Sequence, residues 1–306
     1  MKIYVSGASG LIGSGLCVAL GATGHTVCRL VRKREAAVGG NVYWNPAEQQ
    51  LDPAALADAD AVVNLAGESI AGGRWTAKQK DAIRTSRLKG TRTIAAALAQ
   101  PDGRPKTLVN ASAIGIYGNR GDELLDEDSP AGSGDFLSGV CRDWEAATQP
   151  AASAGCRVVM TRFGVVLSGD GGALAKMLLP FKLGLGGKIG SGRQYMSWVG
   201  LDDAIDVLIE CVTNPALSGP VNVVAPHAVT NHEFTKTLGR VLQRPTIFPL
   251  PAFAARLALG EMADELLLSS QRVRPKRLEQ AGYNFKYPTL EGALLRALRP
   301  WAHGVG

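Results

Sequence analysis

The chain opens with an alternation of apolar and small residues that predicts strand, turn, helix and strand, in that order. Residues 2–5 and 26–31 are short apolar runs, and the segment between them has the pattern of a helix. Gly7, Gly10 and Gly13 lie where the first strand would turn into this helix. This order of elements, with glycines at the strand-to-helix turn, is typical of a βαβ unit.

The spacing of these glycines suits a dinucleotide. Gly7 permits the tight turn, Gly10 lets the backbone approach a pyrophosphate, and Gly13 lets the helix pack closely on the sheet. The helix N-terminus offers free N–H groups and a partial positive charge to the anion. Glycines also occur in turns for purely conformational reasons, so the flanking strands are what favour dinucleotide binding here.

The charges after the second strand distinguish between two cofactors. Arg29, Arg32, Lys33 and Arg34 lie in or just after that strand, and no acidic residue precedes Glu35. NAD sites usually carry an acidic residue here for the ribose hydroxyls, whereas an arginine suits the 2′-phosphate of NADP. Arg32 is placed to bind that phosphate through two N–H groups. We therefore predict NADP (NADPH) as the cofactor, with a solvated basic loop as the alternative.

Further along the chain, strand patterns alternate with helix patterns. Strand patterns occur at 42–44, 61–66, 107–112, 157–163, 196–199 and 221–224, and helical patterns at 76–100, 135–149 and 174–183, after Asp202, and over most of the chain beyond 226. This alternation predicts an α/β fold, a Rossmann-like doubly wound parallel sheet with a smaller, mostly helical C-terminal substrate lobe. We place the NADP-binding domain at 1–165 with a returning segment at about 193–226, and the smaller lobe at 166–192 and 227–306.

Composition narrows the range of partners and locations. The net charge is +6 and the pI is about 9.1, but no basic run is interleaved with aromatic residues, so we expect no nucleic acid. The five cysteines are scattered without a Cys-x-x-Cys pair, so neither a zinc site nor a disulfide framework is indicated, and we expect no metal. No apolar run approaches the length of about 18 residues that a membrane helix needs, so we expect no membrane. A cytoplasmic protein fits these features.

Several motifs together resemble one family. The Gly-Ala-Ser-Gly-Leu-Ile-Gly turn at 7–13, Asn-Leu-Ala-Gly at 64–67 and Trp-Val-Gly-Leu-Asp-Asp at 198–203 are similar to those of extended short-chain dehydrogenase/reductases. Cys-Arg-Asp-Trp-Glu at 141–145 and Arg-Pro-Lys-Arg-Leu at 274–278 resemble an atypical, NAD-dependent epimerase/dehydratase-like branch, the epimerase family proteins with a C-terminal domain of unknown function. The resemblance covers nearly the whole chain.

The resemblance implies a set of cofactor contacts. In such proteins the glycine turn and the residues after it hold the pyrophosphate, and a later turn lines the adenosine side. The positions that match these contacts are Gly7, Gly10, Leu11, Ile12, Gly13, Arg32, Leu65, Ala66, Arg87 and Val166. Among them Arg32 matches the 2′-phosphate site, Arg87 replaces a structural Asn and points to the cofactor, and Val166 falls near the nicotinamide end.

The chain departs from typical members of the group at the residues that transfer a proton. Those members have a Tyr-x-x-x-Lys motif, in which the Tyr donates the proton and the Lys binds the ribose and lowers the Tyr pKa. Alignment on the Trp-Glu pair at 144–145 puts Leu137 at the Tyr position and Cys141 at the Lys position. Met196 replaces an Arg that often holds a sugar diphosphate, although Arg193 lies nearby, so a nucleotide-sugar substrate is disfavoured.

Four residues remain as candidate catalytic groups, each with a structural alternative. Ser112 lies one residue off the usual spacing and either hydrogen-bonds a substrate carbonyl or stabilises a turn. Tyr117 either donates a proton or packs in the core, and Cys141 is either a reactive thiol or a small buried apolar residue. Glu68, after the Asn-Leu-Ala-Gly turn, is either an acid or base in the cleft or a solvated carboxylate.

These features support three hypotheses about function. The first is an NADP(H)-dependent oxidoreductase or epimerase-like enzyme, acting on an unknown carbonyl or hydroxyl small-molecule substrate without the Tyr-Lys pair. The second is a catalytically silent NADP-binding regulatory or scaffold protein, since some relatives have been linked to cell or plastid division. The third, a true nucleotide-sugar epimerase, is disfavoured by Leu137 and Met196. A homodimer is compatible with all three.

Overall fold

The computed structural model describes residues 1–100 and 106–299, so the last seven residues of the predicted C-terminal lobe lie outside the described part. Its strands are β1 Lys2–Ser6, β2 Thr26–Val31, β3 Val42–Tyr43, β4 Ala61–Asn64, β5 Thr107–Ala113, β6 Leu124–Leu125, β7 Arg157–Phe163, β8 Val165–Leu167, β9 Tyr195–Met196, β10 Trp198–Gly200, β11 Gly219–Val223, β12 Val229–Thr230 and β13 Arg272–Val273. Its α-helices are α1 Leu11–Ala22, α2 Ala77–Leu98, α3 Phe136–Ala146, α4 Gln149–Ser153, α5 Gly172–Lys182, α6 Leu201–Thr213, α7 Asn231–Leu242, α8 Ala252–Leu259, α9 Glu261–Ala263, α10 Lys276–Gln280 and α11 Leu290–Ala297. Short 3₁₀ turns occur at Arg34–Ala36, Pro53–Leu56 and Ile114–Tyr117, and a π-helical turn at Asp264–Leu268.

Seven parallel strands form the central sheet, in the order β11-β7-β5-β4-β1-β2-β3. From β1 the chain first adds strands on one side, to β3, and then crosses over to add β4 and its successors on the other side. In doubly wound sheets a ligand binds at the carboxyl ends of the strands beside such a reversal. The predicted Rossmann-like α/β fold is confirmed, and its ligand crevice is expected between β1 and β4.

Alternate residues of the strands pack against helices on the two faces of the sheet. Ile3 and Val5 lie in an apolar cluster with side chains of α1 and α6, whereas Tyr4 between them packs in a second cluster with side chains of α2. Helix α2 begins after Thr76, whose hydroxyl accepts the N–H of Gln79 at 3.2 Å. Both faces of the sheet are therefore covered, as a parallel sheet requires.

The structure adds the short strands β6, β8, β12 and β13 to the predicted elements, and it differs from two of the predictions for a clear physical reason. The segment 196–199, predicted as one strand, divides into β9, which pairs with β12, and β10, which pairs with β8. Ser197 lies between them because its hydroxyl donates to the carbonyl of Gln271 at 2.8 Å and accepts the N–H of Val273 at 2.9 Å. The helix predicted to reach residue 149 ends at Ala146, and α4 begins with Pro150 in its first turn.

The C-terminal part is mostly helical, as predicted, and is fastened to the sheet region through a buried carboxylate. Phe234 and Leu294 pack with Trp198 in an apolar cluster of their own. Asp203 in α6 is fully buried, and its two oxygens accept the N–H groups of Lys286 at 2.7 Å and Tyr287 at 3.0 Å. The segment that leads into α11 is thus held against the first turn of α6.

Candidate functional site

An open groove of about 810 Å³ lies at the carboxyl ends of β1, β2 and β4, on the expected side of the sheet. Its walls are the glycine turn at 7–10, the end of β2 at 29–33, and the turn at 65–68 that follows β4. Side chains of Trp44 and Lys89 complete it. This volume is within the range of about 300–1,000 Å³ that is usual for ligand sites.

The glycine turn is built by backbone contacts that leave no space for side chains. Gly7 has a φ of +67°, and a Cβ on it would lie 2.8 Å from the carbonyl carbon of Leu65. A Cβ on Gly13 would lie 2.2 Å from the carbonyl oxygen of Gly7, so the helix approaches the turn closely. Around Gly10 the nearest atom to such a Cβ is 3.3 Å away, and this residue opens to the groove.

The first turn of α1 is ready to receive an anion. Gly10 is its N-cap residue and supplies no side-chain hydrogen bond, and the first turn contains no acidic residue. The first N–H groups of a helix have no partner within the helix, so those of Leu11, Ile12 and Gly13 can bind an external acceptor. These residues therefore fit a pyrophosphate group.

The rim of the groove is basic. Arg29, Arg32, Lys33 and Lys89 line it, and Glu68 is the one acidic residue among its described lining residues. The neighbouring guanidinium, that of Arg34, instead lies over the ring of Tyr43 at 4.1 Å from the centroid. Exposed Arg32 at the end of β2 is thus free of the aromatic contact that engages Arg34.

The turn after β4 is fixed by hydrogen bonds to Ser6. The Ser6 hydroxyl accepts the N–H groups of Leu65 at 3.2 Å and Ala66 at 3.3 Å, and it donates to Asn64 at 2.6 Å. Arg87 then supports the end of the turn, because its Nη1 donates to the carbonyl of Glu68 at 2.9 Å. Ser6 lies at the end of β1, just before the glycine turn, so its hydrogen bonds join that turn to the turn at 65–68.

Arg87 lies beneath this wall rather than among the residues that line the groove. Its guanidinium is 5.0 Å from the ring centroid of Trp144 and also donates to the carbonyl of Ile83 at 3.0 Å. Burial lowers the pKa of this guanidinium, and the Glu68 carboxylate opposes that effect. We infer from these contacts that Arg87 positions the turn at 65–68.

Val166 is brought close to the start of α1 by the turn before α5. A Cβ on Gly172 would contact both the Leu11 side chain, at 3.6 Å, and the carbonyl oxygen of Val166, at 3.7 Å. Leu11, Ile12, Leu65 and Val166 are half-buried and pack against the same apolar cluster. The apolar residues predicted to contact the cofactor therefore come from three elements and meet at one edge of the sheet.

A second group of polar side chains crosses the sheet just below the carboxyl ends of its strands. Asn64 donates to Asn110 at 2.7 Å and to Thr91 at 3.0 Å, and the indole N–H of Trp144 donates to Thr91 at 2.9 Å. All four side chains are buried. Together with Ser6 they form a chain of hydrogen bonds from the groove to α2 and α3, which residue patterns did not predict.

Ser112 faces a buried ion pair. Its hydroxyl donates to Glu145 at 2.7 Å, and Glu145 accepts both Nε and Nη2 of Arg162, at 2.8 and 2.9 Å. The two ionic side chains are only 9% and 11% exposed. Burial opposes the charge on Arg162, but the Glu145 carboxylate outweighs it and raises the pKa of the guanidinium above its ordinary value. Neither charged residue was predicted to have a role at the site: Glu145 was used only as part of a family motif, and Arg162 lies within an ordinary strand pattern.

Tyr117 belongs to the same network and is fully buried. Its hydroxyl accepts Nη1 of Arg162 at 2.9 Å and donates to Asn222 at 2.8 Å. Burial raises the pKa of Tyr117, and the nearby Arg162 only partly offsets this effect. The hydroxyl groups of both Ser112 and Tyr117 are therefore engaged inside the protein.

Cys141 has the surroundings of a core residue. It lies in an apolar cluster with Ile114 and Ile116, on the side of α3 that faces Gly115. Burial raises the pKa of its thiol to about 12, so the nucleophilic thiolate is strongly disfavoured at neutral pH. This geometry favours the structural interpretation of Cys141 over the catalytic one.

Glu265 is a carboxyl group at the helix that carries Leu137, and no sequence pattern pointed to it. It lies in the π-helical turn Asp264–Leu268 and accepts the N–H of Phe136 at 3.0 Å and that of Leu137 at 2.8 Å. Burial raises its pKa above the usual range, while the two backbone N–H groups oppose the shift. A titratable group is thus held at the N-terminus of α3, beside the backbone of the residue that aligns with the Tyr of typical short-chain dehydrogenases.

Comparison with known proteins agrees with this geometry. The sequence profile of the NAD-dependent epimerase/dehydratase family matches residues 3–225, well over half of the chain. The chain belongs to this family. A second profile, of a domain of unknown function (DUF1731), matches residues 250–297 of this epimerase family member. The resemblance inferred from the motifs is therefore confirmed.

Relatives of this family member extend over its whole length. It is 50% identical over 292 residues to epimerase family protein Mb2239 of Mycobacterium bovis, covering 95% of this chain and 96% of that one. It is 40% identical over 297 residues to epimerase family protein YfhF of Bacillus subtilis, with 96% and 97% covered. The human epimerase family protein SDR39U1 is 38% identical over 297 residues, with 96% and 98% covered.

Solved structures show the same fold. A crystal structure of the human protein SDR39U1 with NADPH has a TM-score of 0.87 and 36% identity, covering 97% of this chain and 99% of that chain. A nucleoside-diphosphate sugar epimerase from Corynebacterium glutamicum has a TM-score of 0.81 and 37% identity, covering 97% of this chain and 58% of that chain. This epimerase family member thus has the NAD(P)-binding fold of the short-chain dehydrogenase/reductases.

We expect Glu145→Ala to lower the free energy of unfolding by about 3–5 kcal/mol, because it leaves the Arg162 charge buried without its partner. Asp143→Ala is the matched control, since Asp143 lies on the same helix and pairs with Arg84 at the surface. Its loss is expected to be about 0.2–1 kcal/mol. Urea unfolding measures both values, and similar losses for the two variants would contradict the buried pair.

We expect Cys156 to be the first thiol to react with Ellman's reagent in the folded protein, because it is half-buried whereas the other four cysteines are buried. Cys141 and Cys211, whose pKa values burial raises to about 12, react only after unfolding. Mass spectrometry of the folded variant Cys156→Ser after treatment with the reagent shows whether any other cysteine is labelled. Labelling of Cys141 in that folded variant would restore it as a reactive thiol.

Proposed function

We propose that this protein binds NADPH in the groove and is an atypical NADP(H)-dependent oxidoreductase or epimerase-like enzyme that acts on a small carbonyl or hydroxyl compound. The observation that carries the proposal is exposed Arg32 at the end of β2, on a groove wall that has no carboxylate at the position where NAD-specific sites use one. The crystal structure of the human relative with NADPH supports the choice of cofactor.

In this proposal each part of the groove has one task. The N–H groups of Leu11, Ile12 and Gly13 bind the pyrophosphate, and Arg32 binds the 2′-phosphate as a two-donor fork. Leu65 and Ala66 line the adenosine side, and Val166 lies toward the nicotinamide. Bound NADPH would supply a hydride donor, so the chain itself has to orient the substrate and manage the proton.

Glu265 is the residue that we propose for the proton. The hydroxyl groups of Ser112 and Tyr117 are held by Glu145 and Arg162, and the Cys141 thiol is buried and protonated. Burial raises the pKa of this carboxyl group, and a carboxyl group with a raised pKa can serve as a general acid or base. Its two hydrogen bonds to the start of α3 keep it beside Leu137, which cannot transfer a proton itself.

A second candidate function rests on the same three residues. Because Ser112, Tyr117 and Cys141 all have structural surroundings, the chain also suits an NADP-binding regulatory or scaffold protein without chemistry. In that case the cofactor would stabilise one conformation rather than react. The two candidates differ in whether bound NADPH is consumed.

We expect Arg32→Ala to weaken NADPH binding by at least about tenfold, because a charge-assisted contact worth about 1.5–3 kcal/mol is lost. NADH binding changes little, since NADH has no 2′-phosphate. Arg34→Ala is the control, because the Arg34 guanidinium lies on the Tyr43 ring. Fluorescence titration with both cofactors decides the matter, and equal weakening of the two would show that Arg32 does not bind the phosphate.

We expect the protein to oxidise NADPH in the presence of at least one compound from a panel of aldehydes and ketones. The reaction is followed by the fall in NADPH absorbance. With that compound Glu265→Gln lowers the rate about a hundredfold and leaves NADPH affinity unchanged, as expected for a proton donor. Asp264→Asn, which alters the neighbouring carboxylate paired with Arg256 at the surface, leaves the rate unchanged. Tight NADPH binding without consumption across the panel would support the second candidate.

A further inference from the structure

One face of the molecule exposes most of its large apolar side chains. Eight of the thirteen large apolar residues that are exposed in the described part come from 179–185 and 247–257. They are Leu179, Leu183, Leu185, Ile247, Phe248, Leu250, Phe253 and Leu257, called the apolar face below. Soluble monomers rarely leave so many such side chains together in water.

Backbone contacts show that the two segments form one surface. The N–H of Leu250 donates to the carbonyl of Lys188 at 2.9 Å, and the Leu250 carbonyl accepts the N–H of Gly190 at 2.8 Å. At the other end, Nε of Arg244 donates to the carbonyl of Lys182 at 2.9 Å. The strap at 244–250 therefore runs beside the segment that follows α5.

Helix α8 extends the same surface. It starts directly after the strap, and a Cβ on Gly190 would lie 3.7 Å from the Cβ of Ala252. Phe253 and Leu257 are one turn apart on this helix and are 72% and 77% exposed, whereas Ala255 between them is buried. The helix thus packs on one side and presents an apolar ridge on the other.

The segments that form the apolar face carry only basic charges, and the acidic residues beside α8, Glu261 and Asp264, are paired with Lys80 and Arg256. No acidic residue occurs in 171–201 or in 234–260, the segments that form the face and its surroundings. Lys182, Lys188 and Arg244 are exposed beside the apolar side chains and form no ion pair with the residues that the structure describes. Whatever covers this face has to be apolar and anionic together.

The single sign of charge disfavours a second copy as the partner. A twofold contact brings the same surface patch of both subunits together, so the cations of one copy would meet those of the other. An anionic bilayer satisfies both requirements, since exposed apolar side chains insert at the boundary of the headgroups while lysine and arginine attract the lipid phosphates.

We propose that the apolar face binds the surface of an anionic lipid bilayer. Among the described helices none is long and apolar enough to span a membrane, and a surface contact of this kind needs no spanning helix. Leu179, Leu183, Phe253 and Leu257 enter the interface, and Lys182, Lys188 and Arg244 lie at the level of the headgroups. The groove for the cofactor lies at the carboxyl ends of β1, β2 and β4 and is lined by none of these residues, so cofactor binding and bilayer binding use different surfaces.

The test is sedimentation of the full chain with two kinds of vesicle, phosphatidylcholine alone and phosphatidylcholine mixed with phosphatidylglycerol. We expect binding to the anionic vesicles at least about tenfold stronger than to the neutral ones, and weaker as salt is raised. The double variant Phe253→Ser/Leu257→Ser loses at least about tenfold in affinity, whereas Leu295→Ser, an exposed apolar residue of α11, changes nothing.

A charge variant separates the contribution of the cations to vesicle binding from that of the apolar side chains. Lys182→Gln/Lys188→Gln removes the preference for anionic vesicles while the apolar face stays intact. Thermal unfolding and NADPH titration of each variant confirm that the fold is retained. Failure of the intact chain to bind anionic vesicles would overturn the proposal, as would a dimer in sedimentation equilibrium that Phe253→Ser/Leu257→Ser dissociates.

Discussion

The close approach of two backbone turns determines the rest of this site. The carbonyl of Gly7 lies where a side chain on Gly13 would be, and Gly7 itself lies against the backbone that follows β4. With these contacts the first helix is pressed onto the sheet, and its uncapped N-terminus is directed at the space between the turns. Any side chain at Gly7 or Gly13 would separate the elements by the width of at least one methyl group, because packed protein interiors have no free volume to absorb it.

Below the groove, the polar side chains that could form a proton relay make structural hydrogen bonds instead. In typical members of the family this region carries a Tyr and a Lys, and here it carries a partly buried Leu137 and a Cys141 that lies in an apolar cluster. Ser112 and Tyr117 bond instead to a buried Glu145–Arg162 pair. A buried ion pair is stable only when its remaining donors and acceptors have hydrogen-bonding partners. The hydroxyl groups of Ser112 and Tyr117 provide two of these.

Local features of this protein were legible from its sequence, whereas long-range contacts were not. The βαβ unit followed from the spacing of the glycines and from the apolar runs at 2–5 and 26–31 on either side of a helical pattern, and Arg32 followed from its place after β2. Glu265, by contrast, meets Leu137 across 128 residues, and nothing in either stretch marks the other. The same holds for the divided strand at 196–199, because Ser197 is bonded to a segment more than seventy residues away.

The contact between Glu265 and the start of α3 also connects two parts of the chain that are distant in sequence. It ties the C-terminal part of the chain to the sheet domain through one carboxylate and two amide groups. A proton added to Glu265 removes part of its capacity to accept those amides, so the tie weakens as the group is neutralised. Burial raises the pKa of Glu265, so protonation begins at a higher pH than for a solvated glutamate, and this contact between two distant parts of the chain depends on the charge of one side chain.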